Sequence, residues 1–151
     1  MLNDSTVLAW DVMNEPPASS TDQDHYYTFV RSVFSYIKQE LRPRQPVAVS
    51  CDRDGATGAC GTWGDTAWDI FLIHPYWHTS VIDGFEPAGF ESMKRYVNAM
   101  VARANKVNKP VLATETCWGA NDDAVRAYHC RAVLEVLKAA GIGFMPHALR
   151  W

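Results

Sequence analysis

Short apolar runs alternate with longer stretches of helical periodicity along this chain. Residues 7–13 (VLAWDVM) form a β-prone run that stops at Pro16-Pro17, two residues that cannot continue a sheet. Between residues 22 and 41, Tyr26, Phe29, Val30, Val33, Phe34, Ile37 and Leu41 recur at helical spacing and predict one apolar face packed on a sheet. Thr21 and Asp24 form a variant capping box ahead of it, and Arg42-Pro43 ends it. Further strands are predicted over 46–51 (PVAVSC), 68–73, 111–114 and 142–145. A helix over 90–106 turns Met93, Tyr96, Val97, Met100, Val101 and Ala104 inward. Another opens at Asp122-Asp123, where acids favour the positive end of the helix dipole, and closes at Gly141. Its predicted buried face is Val125, Tyr128, Ala132, Val136 and Leu137.

The regular alternation of strand and helix predicts parallel crossovers in one α/β domain over residues 1–151, with about five parallel strands and three main helices. One connection breaks the rule. Residues 52–66 hold four Gly and no helical periodicity, and are read as a mobile loop on the edge where α/β folds place their chemistry. A loop or a one-turn helix must serve between the second and third strands.

Two strands deliver a glutamate at their carboxyl ends, Glu15 and Glu115, a hundred residues apart (115 − 15). A single Glu before Pro is commonly a solvated loop residue. Two strand-end carboxylates are what hydrolysis of a glycosidic bond requires. Asp11 shares strand parity with Glu15, so both are expected on the inner face, where a buried Asp needs a hydrogen-bond donor, an Arg or a water.

Asn14-Glu15-Pro16 after one strand, His74-Pro75-Tyr76-Trp77 after another and Glu115 ending a third resemble the glycoside hydrolases of clan A, most of all family 5, the cellulase and mannanase family. The resemblance implies an incomplete TIM (β/α)8 barrel in which this chain supplies the fourth to eighth strands and the first three are not encoded. It implies a retaining hydrolase of β-linked poly- or oligosaccharide, cellulase- or β-glucanase-like, with Glu15 as acid/base and Glu115 as nucleophile. Asn14 matches the residue that holds the sugar's 2-hydroxyl, and His74 and Tyr76 match positions that line the sugar site and contact the nucleophile. Trp77 and Trp118 follow strand ends and either stack on sugar rings or pack loops. Family members usually carry an aromatic platform, often Trp, on the eighth strand; His147 stands at that position, with Trp151 as a substitute. No metal or cofactor is implied. The absent strands contribute sugar-site groups in the family. The alternative is therefore a truncated half barrel with little or no activity, self-associating or weakly sugar-binding.

Composition narrows the partners. A net charge of −3 and a pI near 5.9 give no reason to expect nucleic acid or an anionic membrane surface. No stretch approaches the roughly 20 apolar residues that span a bilayer. Met1 and the five residues after it carry no signal-peptide pattern, while the resemblance implies a secreted or periplasmic setting for the full-length family. Cys51 and Cys60 bracket a loop they could close, Cys117 and Cys130 lie in different predicted elements, and all four read as structural because none has zinc-ligand spacing. A phosphate-binding module is poorly supported, since residues 55–61 lack the Lys and helix of a P-loop. Five strands cannot close an eight-stranded barrel, so two open edges and an apolar inner face predict self-association, most simply as a homodimer.

Overall fold

Five parallel strands lie side by side in chain order, β1 (Trp10–Asn14), β2 (Val47–Cys51), β3 (Phe71–Ile73), β4 (Val111–Ala113) and β5 (Gly143–Phe144). The structure, a computed structural model, describes residues 4–16, 23–51, 61–117 and 119–147. Four α-helices connect the strands: α1 (Gln23–Tyr36), α2 (Gly61–Ala67), α3 (Pro87–Lys106) and α4 (Asp123–Ala139). Every strand pairs with its sequence neighbour, which is the topology of an opened barrel with β1 and β5 outermost.

The middle strands carry the core. Val47, Ala48 and Val49 of β2 and Phe71, Leu72 and Ile73 of β3 are all buried, a continuous apolar pattern that fits parallel strands covered on both faces. Against them pack Val30 and Phe34 from α1, Met93, Val97 and Met100 from α3, and Val133 and Leu137 from α4. Asp69, just before β3, ties this layer together. Its Oδ2 accepts the Val47 N–H at 2.9 Å and the Lys38 Nζ at 2.6 Å.

Several sequence-based expectations are corrected. The first helix keeps α geometry only to Tyr36 and then widens into a π-helical turn, Ile37–Leu41, ended by Arg42 in the left-handed region (φ 47). That widening turns Leu41 outward, and Phe29, about 100° round the helix from buried Val30, is likewise exposed. On α4 the most buried residues are His129, Val133 and Leu137, while Tyr128 is exposed. Leu137 is buried as expected, Val125, Ala132 and Val136 are half-buried, and His129, polar on paper, takes the place expected of Tyr128 by stacking on Trp77 with ring centroids 4.3 Å apart. The loop expected over 52–66 becomes helix α2 from Gly61; residues 52–60, and with them the suggested Cys51–Cys60 closure, lie outside what the structure describes, as do Thr21 and the side chain of Asp24. Helix α3 begins at Pro87, three residues early, because proline's fixed φ suits a first helical turn.

Candidate active site

Glu15 is positioned by an irregularity in β1. Asp11 pairs with Ala48 but Asn14 pairs with Ser50, so β1 spends one extra residue across that interval, a β-bulge. The bulge breaks the alternation that put Asp11 and Glu15 on one face. Asp11 Oδ1 instead accepts the Ser50 N–H at 3.0 Å, supplying the ladder bond that the bulge removes. Glu15 follows with φ 43, the left-handed region, although a residue before proline ordinarily adopts an extended conformation. Its N–H still donates to Ser50 O at 3.2 Å. Strain of this kind concentrates where a side chain must be aimed.

His74, just past β3, has a side chain only 1% exposed. Its Nδ1 lies 2.6 Å from Glu15 Oε1 and 3.7 Å from Glu115 Oε2, and its Nε2 lies 3.1 Å from Thr114 Oγ1. With Nδ1–H donating to Glu15 Oε1, the other ring nitrogen, Nε2, is left to accept the Thr114 hydroxyl proton.

Glu115 sits between two anchored threonines. Thr114 N–H donates to Ile73 O at 3.1 Å, and buried Thr116 Oγ1 donates to Pro75 O at 2.8 Å, stitching the end of β4 to the end of β3. Tyr76 Oη donates to Glu115 Oε2 at 2.8 Å. His147 Nδ1 is 3.0 Å from the same phenol oxygen; since the phenol's one proton goes to Glu115, this nitrogen is the donor, completing a relay from His147 through Tyr76 to Glu115. Burial foremost, then the Glu115 hydrogen bond and the charges of Glu115, Glu15 and Cys117, raise the Tyr76 pKa well above the usual 10, keeping the phenol a donor.

The structure thus brings Glu15, Glu115, His74, Tyr76 and His147 to one rim of the sheet. One ligand atom each from Glu15, His74 and Glu115 all lie within 4.8 Å of one another. The trio could also hold a divalent cation of borderline softness, although His74 Nδ1 is already committed to Glu15. Asn14 is exposed beside Glu15. Trp77 does not join them: it is 3% exposed, gives its Nε1–H to Glu86 O at 2.9 Å, and packs among Phe90, Tyr128 and His129. Trp118 and Trp151 lie outside the described residues. Sequence reasoning missed Thr114 and Thr116, whose signal was their place on either side of Glu115, and Ser50, whose backbone binds both Asp11 and Glu15.

A parallel α/β half barrel with paired carboxylates at its carboxyl rim is the class that this fold and this rim define. No protein-family model matches the chain, and no curated protein matches it. Among solved structures it is similar to the endo-β-1,4-mannanase from Thermotoga petrophila, with a TM-score of 0.67 and 20% identity over 94% of this chain and 35% of that one. It is similar also to the β-glucuronidase of Ruminococcus gnavus (TM-score 0.64, 16% identity, 95% of this chain, 26% of that one). The GH26 endo-β-1,4-mannanase catalytic domain of Bacillus sp. JAMB-750 matches at TM-score 0.57 and 18% identity, over 77% of this chain and 32% of that one. The chain therefore spans between a quarter and about a third of the length of these proteins. Its fold is that of part of a TIM barrel, the fold it shares with these structures.

Proposed function

We propose that this chain carries the catalytic rim of a retaining glycoside hydrolase acting on β-linked poly- or oligosaccharide of the cellulose and β-glucan kind. The observation that supports it is the approach of Glu15 and Glu115, one carboxylate oxygen of each lying within 4.8 Å of the other. Retaining enzymes hold their carboxyls about 5–5.5 Å apart and inverting ones about 6.5–9.5 Å, with room for a water between. An approach this short supports the retaining reading over the inverting one.

In this reading Glu15 protonates the glycosidic oxygen as Glu115 attacks the anomeric carbon, giving a glycosyl-enzyme ester and a free leaving alcohol. Glu15, now a carboxylate, then takes a proton from water, which displaces Glu115. His74 steers the Glu15 carboxyl through its Nδ1–H. Tyr76 orients Glu115 and leaves one of its oxygens to react. Asn14, exposed next to Glu15, is assigned to the sugar's 2-hydroxyl, and His147 to the floor of the subsite. Hydrolysis of an aryl β-glycoside by wild type, Glu15→Gln and Glu115→Gln tests the roles. Glu115→Ala should lose at least about a hundredfold in rate, and product NMR should show retention. Inversion, or an unaffected rate in that variant, rejects the assignment.

The open sheet favours a second reading, a half barrel that binds β-linked sugar weakly without turning it over. Calorimetric titration with an oligosaccharide separates the two: binding without product, unchanged by Glu115→Gln, supports the second.

A further inference from the structure

We propose that Glu15, His74 and Glu115 form a binding site for a zinc-class divalent cation. His74 Nδ1 lies 2.6 Å from Glu15 Oε1 and 3.7 Å from Glu115 Oε2, and one ligand atom from each residue falls within 4.8 Å of the other two. A tetrahedral ion with bonds of about 2.0–2.1 Å sets its ligand atoms about 3.3 Å apart. The two histidine distances bracket that value, so side-chain movements on the order of an ångström seat the ion. Two carboxylates and one neutral imidazole balance a divalent charge. That mixture of oxygen and nitrogen suits zinc or cobalt, whereas magnesium keeps to oxygen. His74 is the fixed ligand, its side chain 1% exposed. Glu15 and Glu115 are 35% and 24% exposed, which gives the ion a way in from solvent and leaves a fourth position to water.

The hydrogen bond between His74 and Glu15 does not close the site. The Nδ1 proton has only to pass to Nε2, whose partner at 3.1 Å is the Thr114 hydroxyl, a group that accepts as well as donates. Nδ1 then offers its lone pair to the metal; the ring stays neutral, and the protein gains and loses no proton. Thr114 thereby holds the far nitrogen of the ligating imidazole, and Tyr76, donating to Glu115 Oε2 at 2.8 Å, holds one carboxylate. Partners of this kind fix the orientation of metal ligands.

An ion seated here takes both carboxylates out of any acid–base or nucleophilic chemistry, so on the hydrolase reading it is an inhibitor; the binding itself does not rest on that reading. The full chain is titrated with zinc against a chromophoric chelator, and separately with cobalt(II) as a spectroscopic probe. The expected result is a single saturable zinc site that excess magnesium does not empty. Bound cobalt should show the visible bands of a four-coordinate ion without the near-ultraviolet charge transfer of thiolate ligands. Glu115→Gln, which keeps the side chain's shape, should weaken zinc by at least about tenfold, and Thr114→Val by about tenfold to a hundredfold, with circular dichroism confirming the fold of each. No zinc bound, thiolate bands, or an affinity unchanged in either folded variant overturns the proposal. No sugar enters this assay: a chain that binds zinc and hydrolyses nothing keeps the metal site and loses the hydrolase, and the reverse result does the opposite.

Discussion

Between the two glutamates, His74 Nδ1 is shared unequally, 2.6 Å from Glu15 and 3.7 Å from Glu115, and its other nitrogen is spent on Thr114. Removing the ring leaves Glu15 without its orienting donor and takes away the group that lies between the two carboxyls. On the proposed hydrolase reading, His74→Ala should lower kcat by about tenfold to a hundredfold, the range for loss of a supporting partner, with less change in KM. Tyr76 gives a prediction in pH. The phenol's folded pKa is raised above 10, so its contribution to stability is whole below pH 10 and is lost as pH rises through the folded value. Melting temperature should fall as pH climbs above 10, and Tyr76→Phe should flatten that part of the decline; an unchanged slope in the variant would reject the cause. Cys117, raised for the same leading reason, acts with the same sign. At this scale Glu15 and Glu115 were legible as residues that each end a short apolar run, whereas His74 and Tyr76 were singled out only by the resemblance of the HPYW segment to a known motif. The burial of Trp77 was not legible. It follows Tyr76 directly, so it turns the other way, and nothing local reveals that Phe90 and His129 wait there to cover it.

The elements depend on a few polar clamps that apolar patterning does not display. Asp69 is the clearest: Val47, whose N–H it accepts, is 0% exposed, so removing that oxygen strands a buried donor. Asp69→Ala should cost about 1–3 kcal/mol in urea unfolding, and Asp69→Asn, which keeps an acceptor oxygen, should cost less. Equal losses in both variants would shift the credit to the Lys38 ion pair, which is partly solvated and screened. The strands and the two long helices α3 and α4 were readable from period alone. Helix α2 was hidden by its glycines, and Gly64 shows why one of them is there: a Cβ would meet the Trp68 ring at 2.7 Å. That glycine serves close packing of the helix on an aromatic, and composition could not tell this from loop flexibility. The bulge in β1 was equally hidden, because its cause is a register shift against β2, which no single strand records.

Across the whole molecule, the strand order leaves one side of β1 and one side of β5 without a partner among the described residues. Apolar side chains gather in the outlying segments: Leu8 is 62% exposed, Phe144 39% and Met145 43%, with Phe29 of α1 also bare at 58%. Unpaired edges and uncovered apolar surface are what folded proteins ordinarily conceal. All five strands run in one direction, so a twofold axis along the barrel axis would set β5 of each copy beside β1 of the other. That arrangement satisfies both edges with one contact used twice, and it brings both Glu15–Glu115 rims to the same end. Covering about 800 Å² of apolar surface at about 25 cal/mol per Å² contributes on the order of 20 kcal/mol gross, against association costs of several to fifteen or more. The expected outcome is a dimer at micromolar concentration by sedimentation, weakened by Phe144→Lys, which places a charge at the β5 edge. Sedimentation as a 16.9 kDa monomer would show that the sheet shields its own edges and that the twofold closure is wrong.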